Sequence, residues 1–167
     1  VTDIEYIAKA CAVALAHGNT IFFCGNGGSA ADCQHIAAEF VGRFVKERKG
    51  LPAIALTTDT SILTAIGNDY GYDEVFARQV EALVRTGDVV IGISTSGNSK
   101  NVLKALTRAK EHGAVIFGMT GNNIGAINEI TERTIAIPST ITARIQEGHI
   151  LAGHIICQYI DEVGFSA

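Results

Sequence analysis

His35 and Glu39 stand four residues apart in Gln34-His35-Ile36-Ala37-Ala38-Glu39-Phe40. In a helix that spacing puts an imidazole and a carboxylate on one face. The pair could ligate a metal or work as acid and base, and a plain surface pair is the competing reading. Gln146 and His154 form a second polar set, in Arg144-Ile145-Gln146-Glu147-Gly148-His149-Ile150-Leu151-Ala152-Gly153-His154. Their Cα atoms lie about 12 Å apart along a helix. One metal takes both only if the side chains lean together or if different subunits supply them. The alternative is a core-facing histidine and a surface glutamine.

Two loops offer backbone and hydroxyl groups to a polar ligand. Ser94-Thr95-Ser96-Gly97-Asn98-Ser99 follows an apolar run and opens a helical one. Hydroxyls and free amides converging at the positive end of a helix favour phosphate. No lysine of the P-loop type is present, which argues against nucleoside triphosphate chemistry. A phosphate monoester held for positioning fits better. An ordinary turn with Ser99 as helix cap is the competing reading. The second loop is Cys24-Gly25-Asn26-Gly27-Gly28-Ser29-Ala30. It formally satisfies the dinucleotide fingerprint, but that pattern needs an acid about 20 residues on. The nearest acid after the next strand, Asp59, comes far later. What survives is a backbone cradle at a helix start, with a bare strand-to-helix turn as the alternative. Gly67-Asn68-Asp69-Tyr70-Gly71-Tyr72 reads as a polar loop whose Asn68 and Asp69 touch a ligand or make a turn. His17 and His112 each precede a glycine and read as helix C-terminal residues without chemistry.

The elements that must position these groups follow from periodicity. Helices are expected over 4–16, 29–44, 60–66, 73–84, 100–112 and 141–163, with a short one near 125–129. Strands are expected over 20–24, 53–56, 88–93, 115–119 and 134–137. The strands are continuous apolar runs such as Asp88-Val89-Val90-Ile91-Gly92-Ile93, separated by helices. That is the mark of a parallel sheet covered on both faces. The expected class is α/β, a three-layer α/β/α sandwich with a five-stranded parallel sheet, in one domain over 1–167. In such sheets ligands bind outside the carboxyl ends of the strands. The glycine loop, the serine loop, Thr57-Thr58-Asp59 and Thr120-Gly121-Asn122 all fall there.

Composition narrows the classes. Of the 167 residues 47% are hydrophobic, enough for a substantial core. A net charge of -4 argues against a general nucleic-acid binder. Arg43-Phe44-Val45-Lys46-Glu47-Arg48-Lys49 is the densest basic stretch and reads as a solvated connection. No apolar run is long enough to span a membrane, and no secretory signal is visible. Cys11, Cys24, Cys33 and Cys157 lack metal or redox spacing and read as buried free thiols of a reducing cytoplasm. The chain opens at Val1 rather than Met, which suggests that an N-terminal piece is missing.

Taken together, Cys-Gly-Asn-Gly-Gly-Ser at 24–29, Gln-His-Ile-Ala-Ala-Glu-Phe at 34–40, Gly-Asn-Asp-Tyr-Gly-Tyr-Asp at 67–73, Gly-Ile-Ser-Thr-Ser-Gly-Asn-Ser at 92–99 and Arg-Ile-Gln-Glu-Gly-His at 144–149 resemble the sugar isomerase (SIS) fold and, within it, the phosphoheptose isomerase family. The resemblance covers nearly the whole chain. It implies conversion of sedoheptulose 7-phosphate to D-glycero-D-manno-heptose 7-phosphate through an enediol, in the cytoplasm, for lipopolysaccharide or surface glycans. It implies a homotetramer with active sites at subunit interfaces and one Zn²⁺ per subunit. By motif, the zinc ligands would be His35, Glu39, Gln146 and His154. Asn26, Gly27, Gly28, Ser29, Asn68 and Asp69 would contact the sugar, and Ser94, Thr95, Ser96 and Ser99 the phosphate. Glu39 would be the base, and His154 would manage protons on the oxygens. Two departures are expected to matter. Gly148 replaces a larger apolar residue and should loosen the last helix, and a further helical segment is expected before the one starting near Ile4. A SIS-fold binding protein of the replication-initiator-regulator type is the alternative. Retention of His35, Glu39, Gln146 and His154 argues against it.

Overall fold

The computed structural model describes residues 2–165. Five strands, β1 (Ile21–Gly25), β2 (Ala53–Ala55), β3 (Val89–Ile93), β4 (Val115–Thr120) and β5 (Arg133–Ala136), form one sheet in the order β2-β1-β3-β4-β5. Every pairing is parallel. All five residues of β1 and all five of β3 are buried, as the unbroken apolar runs require. Among the described residues seven helices connect and cover the strands: α1 (Thr2–Ala16), α2 (Gly28–Val41), α3 (Thr60–Asp69), α4 (Ala77–Leu83), α5 (Lys100–Glu111), α6 (Ile127–Ile130) and α7 (Thr142–Val163).

One core lies between the sheet and α1, α2 and α7, around Ile7, Phe23, Phe40, Ile91, Phe117 and Ile156. The other lies under α4 and α5, around Phe22, Phe76, Val80, Val90, Val102 and Leu106. Each such fully enclosed side chain contributes on the order of 1.5–3 kcal/mol. The chain order reverses between β1 and β3, which pair Gly25 with Ile93. The loops that leave these two strands flank the crevice at that switch point, where open parallel sheets bind ligands. They are the glycine loop and the serine loop.

Several boundaries differ from the periodicity reading. α2 stops at Val41, short of the expected Phe44, because Gly42 ends it and Arg48 takes the carbonyls of Glu39 and Phe40. The stretch expected as one helix over 73–84 splits into a 3₁₀ turn, Tyr72–Glu74, and α4. Gly67, Asn68 and Asp69 are the last turn of α3 rather than a loop. Asp59 accepts the Ile62 amide at 2.9 Å and so caps α3. The 43–49 segment is not simply a solvated connection. The Arg48 side chain is only 4% exposed, and the Phe44 ring packs 5.5 Å from that of His154. No helix among the described residues is long and apolar enough to cross a membrane.

Candidate functional site

Three contacts show that α2 and α7 lie side by side and point the same way. Gly28 meets Gln146, His35 meets His154, and Ile36 meets Gly153. The close approach needs small residues. A Cβ on Gly153 would fall 2.5 Å from Ile36 Cδ1, and one on Gly28 would fall 2.3 Å from Gln146 Nε2. Gly148 serves the same end, because a Cβ there would sit 2.8 Å from three Ile137 carbons. It is a docking point for α7 on the segment after β5, not the weak spot expected from sequence.

The approach brings His35, Glu39 and His154 together. His35 Nε2 is 3.0 Å from His154 Nε2 and 3.3 Å from Glu39 Oε1. One ligand atom from each of the three lies within 4.8 Å of the others, a spacing that can hold a metal ion. The His35 side chain is half exposed and Glu39 about a quarter, so the cluster opens outward rather than into the core. Asp32, one turn before His35, has its Oδ2 buried without a hydrogen-bond partner among the described residues, and desolvation pushes that carboxyl up against the pull of His35. Gln146 is not in the cluster. It stands about two turns away along α7, over the start of α2.

Arg48 and Asp161 fasten the far ends of the same two helices. Asp161 on α7 accepts from the backbone amides of Val45 and Lys46, both at 2.8 Å, and from Arg48 Nε at 3.0 Å. Burial pushes this carboxyl up, but those three donors outweigh it and hold it below its ordinary range. Arg48 also donates to the carbonyls of Glu39, Phe40 and Lys49. Sequence reading missed this clamp. Its only signal was an arginine in the basic 43–49 stretch, which reads as solvated charge.

The serine loop gathers its hydroxyls. Ser94 Oγ is 2.9 Å from Ser99 Oγ and 3.4 Å from Ser96 Oγ. Ser99 occupies the cap position of α5 but makes no side-chain bond to a helix amide. First-turn amides of a helix lack intrahelical acceptors, and of those in α5 Val102 is taken by Asn101 Oδ1, so the hydroxyl cluster and the remaining amides could together cradle an anion. Thr95 is half-buried beside it and accepts the Gly121 amide through its carbonyl at 3.1 Å. In the glycine loop, Gly27 takes φ +54° and Ser29 is buried in the first turn of α2. Asn26 pairs with Asn101, a residue the sequence reading did not single out. Asn68 and Asp69 are exposed at the end of α3 and bond to each other at 2.8 Å.

Other titratable groups are set aside by burial. The thiols of Cys11, Cys24 and Cys157 are pushed up to about 12 by desolvation, and Cys33 is raised too, so all four act as core side chains. His149 is fully buried, with Nε2 3.0 Å from the Thr120 carbonyl, and burial lowers its pKa. His17 and His112 end α1 and α5 as expected.

A doubly wound sheet with an anion cradle at its switch point and a donor cluster on an adjacent helix pair defines a class, and the family profile of the SIS domain matches residues 1–121. The phosphoheptose isomerase of Aliarcobacter butzleri is 59% identical over 158 residues, which are 95% of this chain and 84% of that protein. Among solved structures, phosphoheptose isomerase GmhA from Neisseria gonorrhoeae superposes with a TM-score of 0.92 at 48% identity, covering 97% of this chain and 86% of that one. A phosphoheptose isomerase from Francisella tularensis gives 0.93 at 38% identity, covering 96% and 86%. The chain belongs to the phosphoheptose isomerase family.

Proposed function

We propose that this chain is an aldose–ketose isomerase that converts sedoheptulose 7-phosphate to D-glycero-D-manno-heptose 7-phosphate. That product would start ADP- or GDP-heptose synthesis for lipopolysaccharide or surface glycans in the cytoplasm. The reading is carried by the meeting of His35, Glu39 and His154 on a fold that also builds a hydroxyl cradle at the sheet's switch point. Kinship with phosphoheptose isomerases over most of the chain supports the enzyme over an adaptor protein.

Ser94, Thr95, Ser96 and Ser99 hold the phosphate, and Asn26, Gly27, Gly28, Ser29, Asn68 and Asp69 contact the sugar. Glu39 takes the proton from C1 of the ketose and returns it to C2, through an enediol. His154 moves protons between the neighbouring oxygens. Gln146, at the mouth of the glycine loop, contacts the sugar as well as serving the metal.

The donor set fits zinc. Two donors about 2.0–2.1 Å from a tetrahedral Zn²⁺ lie about 3.3 Å apart, and the spacings of 3.0 and 3.3 Å around His35 Nε2 match. His35, Glu39 and His154 of one copy would hold the ion, with Gln146 of a neighbouring copy as fourth donor, one ion per subunit. Bound there, zinc would supply Lewis-acid polarisation of the sugar carbonyl.

The single chain separates the parts. Glu39 lies about 16 Å along α2 from Gly28. That distance favours an oligomer in which the cluster of one copy faces the loops of another, and a homotetramer with interfacial sites is the proposed assembly. Exposed Val41, Val45, Leu151 and Ile155 beside the cluster support a buried contact there.

The test is turnover of sedoheptulose 7-phosphate, with the product read by proton NMR, after chelation and after return of Zn²⁺. Zinc-dependent aldoheptose phosphate is expected. A stable oligomer inactive in both conditions would move the assignment to a binding protein.

A further inference from the structure

Asn26 and Asn101 join the two ligand loops by a reciprocal amide pair. Asn26 Nδ2 donates to Asn101 Oδ1 at 2.9 Å, and Asn101 Nδ2 donates to Asn26 Oδ1 at 2.8 Å. Asn101 Oδ1 also accepts the Val102 amide at 3.0 Å. Asn101 is 3% exposed in the first turn of α5, two residues beyond Ser99. Asn26 follows β1 directly and precedes Gly27, the glycine with φ +54°. The pair therefore spans the switch point itself, between the strands that carry the sugar cradle and the phosphate cradle.

The chemistry of the pair limits what Asn26 can do. An amide offers two donor hydrogens and two acceptor lone pairs. One donor and one acceptor site of Asn26 are committed to Asn101, in a fixed plane. Its side chain is thus oriented by α5, and the glycine loop meets a ligand chiefly through backbone. A lone buried amide facing this gap would be costly, on the order of 1–3 kcal/mol per unsatisfied group. Each asparagine removes that cost for the other, which is why the loops hold one relative position.

We propose that Asn101 is a positioning residue, whose amide pair with Asn26 sets the sugar loop at a fixed distance from the phosphate loop. It touches neither reacting carbon. It acts through Asn26 by keeping Gly27 and Gly28 aligned to a sugar whose phosphate is anchored by Ser94–Ser99. The inference rests on the sugar-phosphate reading of the site. Its consequence is that anchoring and alignment separate. Without Asn101 the phosphate still binds, but the sugar is held out of register, a loss that falls on kcat.

The experiment compares wild type, Asn101→Ala, Asn26→Ala and the double variant. Each is measured for thermal stability, for binding of inorganic phosphate, and for kcat and KM on sedoheptulose 7-phosphate. Asn101→Ala should lower kcat about tenfold or more, with KM and phosphate binding changed less than about threefold. Asn26→Ala breaks the pair from the half-buried side and leaves the Val102 amide satisfied, so it reports even if Asn101→Ala does not fold. The double variant should lose little more than Asn26→Ala alone, because Asn101 acts through Asn26. A residue with only a structural role would lower the melting temperature of both variants and leave their kcat intact, and that result overturns the proposal. Additive losses in kcat, or a parallel loss of phosphate binding, also overturn it. A wild-type chain that leaves the ketose untouched fails the functional reading and the proposal with it. A working wild type with equally active variants fails the proposal alone.

Discussion

Arg48 and Asp161, 113 residues apart in sequence, meet at 3.0 Å with 4% and 2% of their side chains exposed. The ion pair ties the C-terminal carbonyls of α2, that of Glu39 among them, to α7 about two turns beyond His154. It acts on geometry, because the cluster exists only while these helices keep their register. Breaking such a pair by removing one partner leaves a buried charge and costs about 3–5 kcal/mol. Arg48→Lys keeps the charge but cannot reproduce the fork that reaches three carbonyls and a carboxylate. Its expected outcome is a lowered melting temperature together with weaker zinc binding, checked by calorimetry and metal titration. Unchanged zinc affinity in a folded Arg48→Lys variant would separate the clamp from the cluster.

Asp161 gives this clamp an acid limit. Its folded pKa lies below the ordinary carboxylate value, so its contribution is fully present above that value, near 4. The contribution is lost as pH falls through the lower folded value. Stability should therefore decline below about pH 4 more steeply in wild type than in Asp161→Asn. At neutral pH Asp161→Asn should be the less stable of the two, since Arg48 then stays buried without its partner. Urea unfolding across pH 3–7 measures both. Parallel curves would show that the pair carries no pH-linked stability.

Two glycines on the same helix pair should behave differently. Alanine at Gly153 puts a Cβ against the body of Ile36, between packed helices, where overpacking costs about 1–3 kcal/mol. Alanine at Gly28 displaces the end of the Gln146 side chain, which can swing away at little cost. Gly153→Ala should thus lower the melting temperature. Gly28→Ala should keep stability within about 1 kcal/mol of wild type while activity falls by about tenfold or more, as the group proposed to contact the sugar is moved. Melting curves and initial rates on the two variants check the contrast. A fully active Gly28→Ala would remove Gln146 from the site.

The parallel sheet was legible because Val89-Val90-Ile91 and the other apolar runs carry their own burial signal, and the loops after β1 and β3 announce themselves by glycine and serine. His35 and Glu39 were legible as a pair because helical spacing is local. Their meeting with His154 was implied by the family motifs but not by spacing, since it depends on how closely α7 docks, and that is set by Gly153 against Ile36. Arg48 looked like surface charge because it sits in a basic stretch without periodicity, and its burial follows from where Asp161 stands in three dimensions. Asn101 was hidden for the same reason: an asparagine in a first helical turn reads as local capping, and only the fold puts Asn26 opposite it.

The cluster itself makes the last prediction. Two imidazole nitrogens 3.0 Å apart and a carboxylate at 3.3 Å form a preset donor group, so metal should stabilise the folded chain and not only its activity. Free zinc at about 100 times its dissociation constant would add about 2.7 kcal/mol. Chelated wild type should melt lower than the zinc-loaded form, with one zinc per chain found by elemental analysis. His35→Ala should melt alike with and without zinc, because it removes the nitrogen shared by both short contacts. Glu39→Gln keeps an oxygen donor but loses the proposed base, so it should retain part of the zinc-dependent shift while kcat falls by about a hundredfold or more. Equal melting of wild type in chelator and in zinc would exclude a metal centre at these three residues. A Glu39→Gln enzyme with wild-type kcat would place the proton transfer on another group.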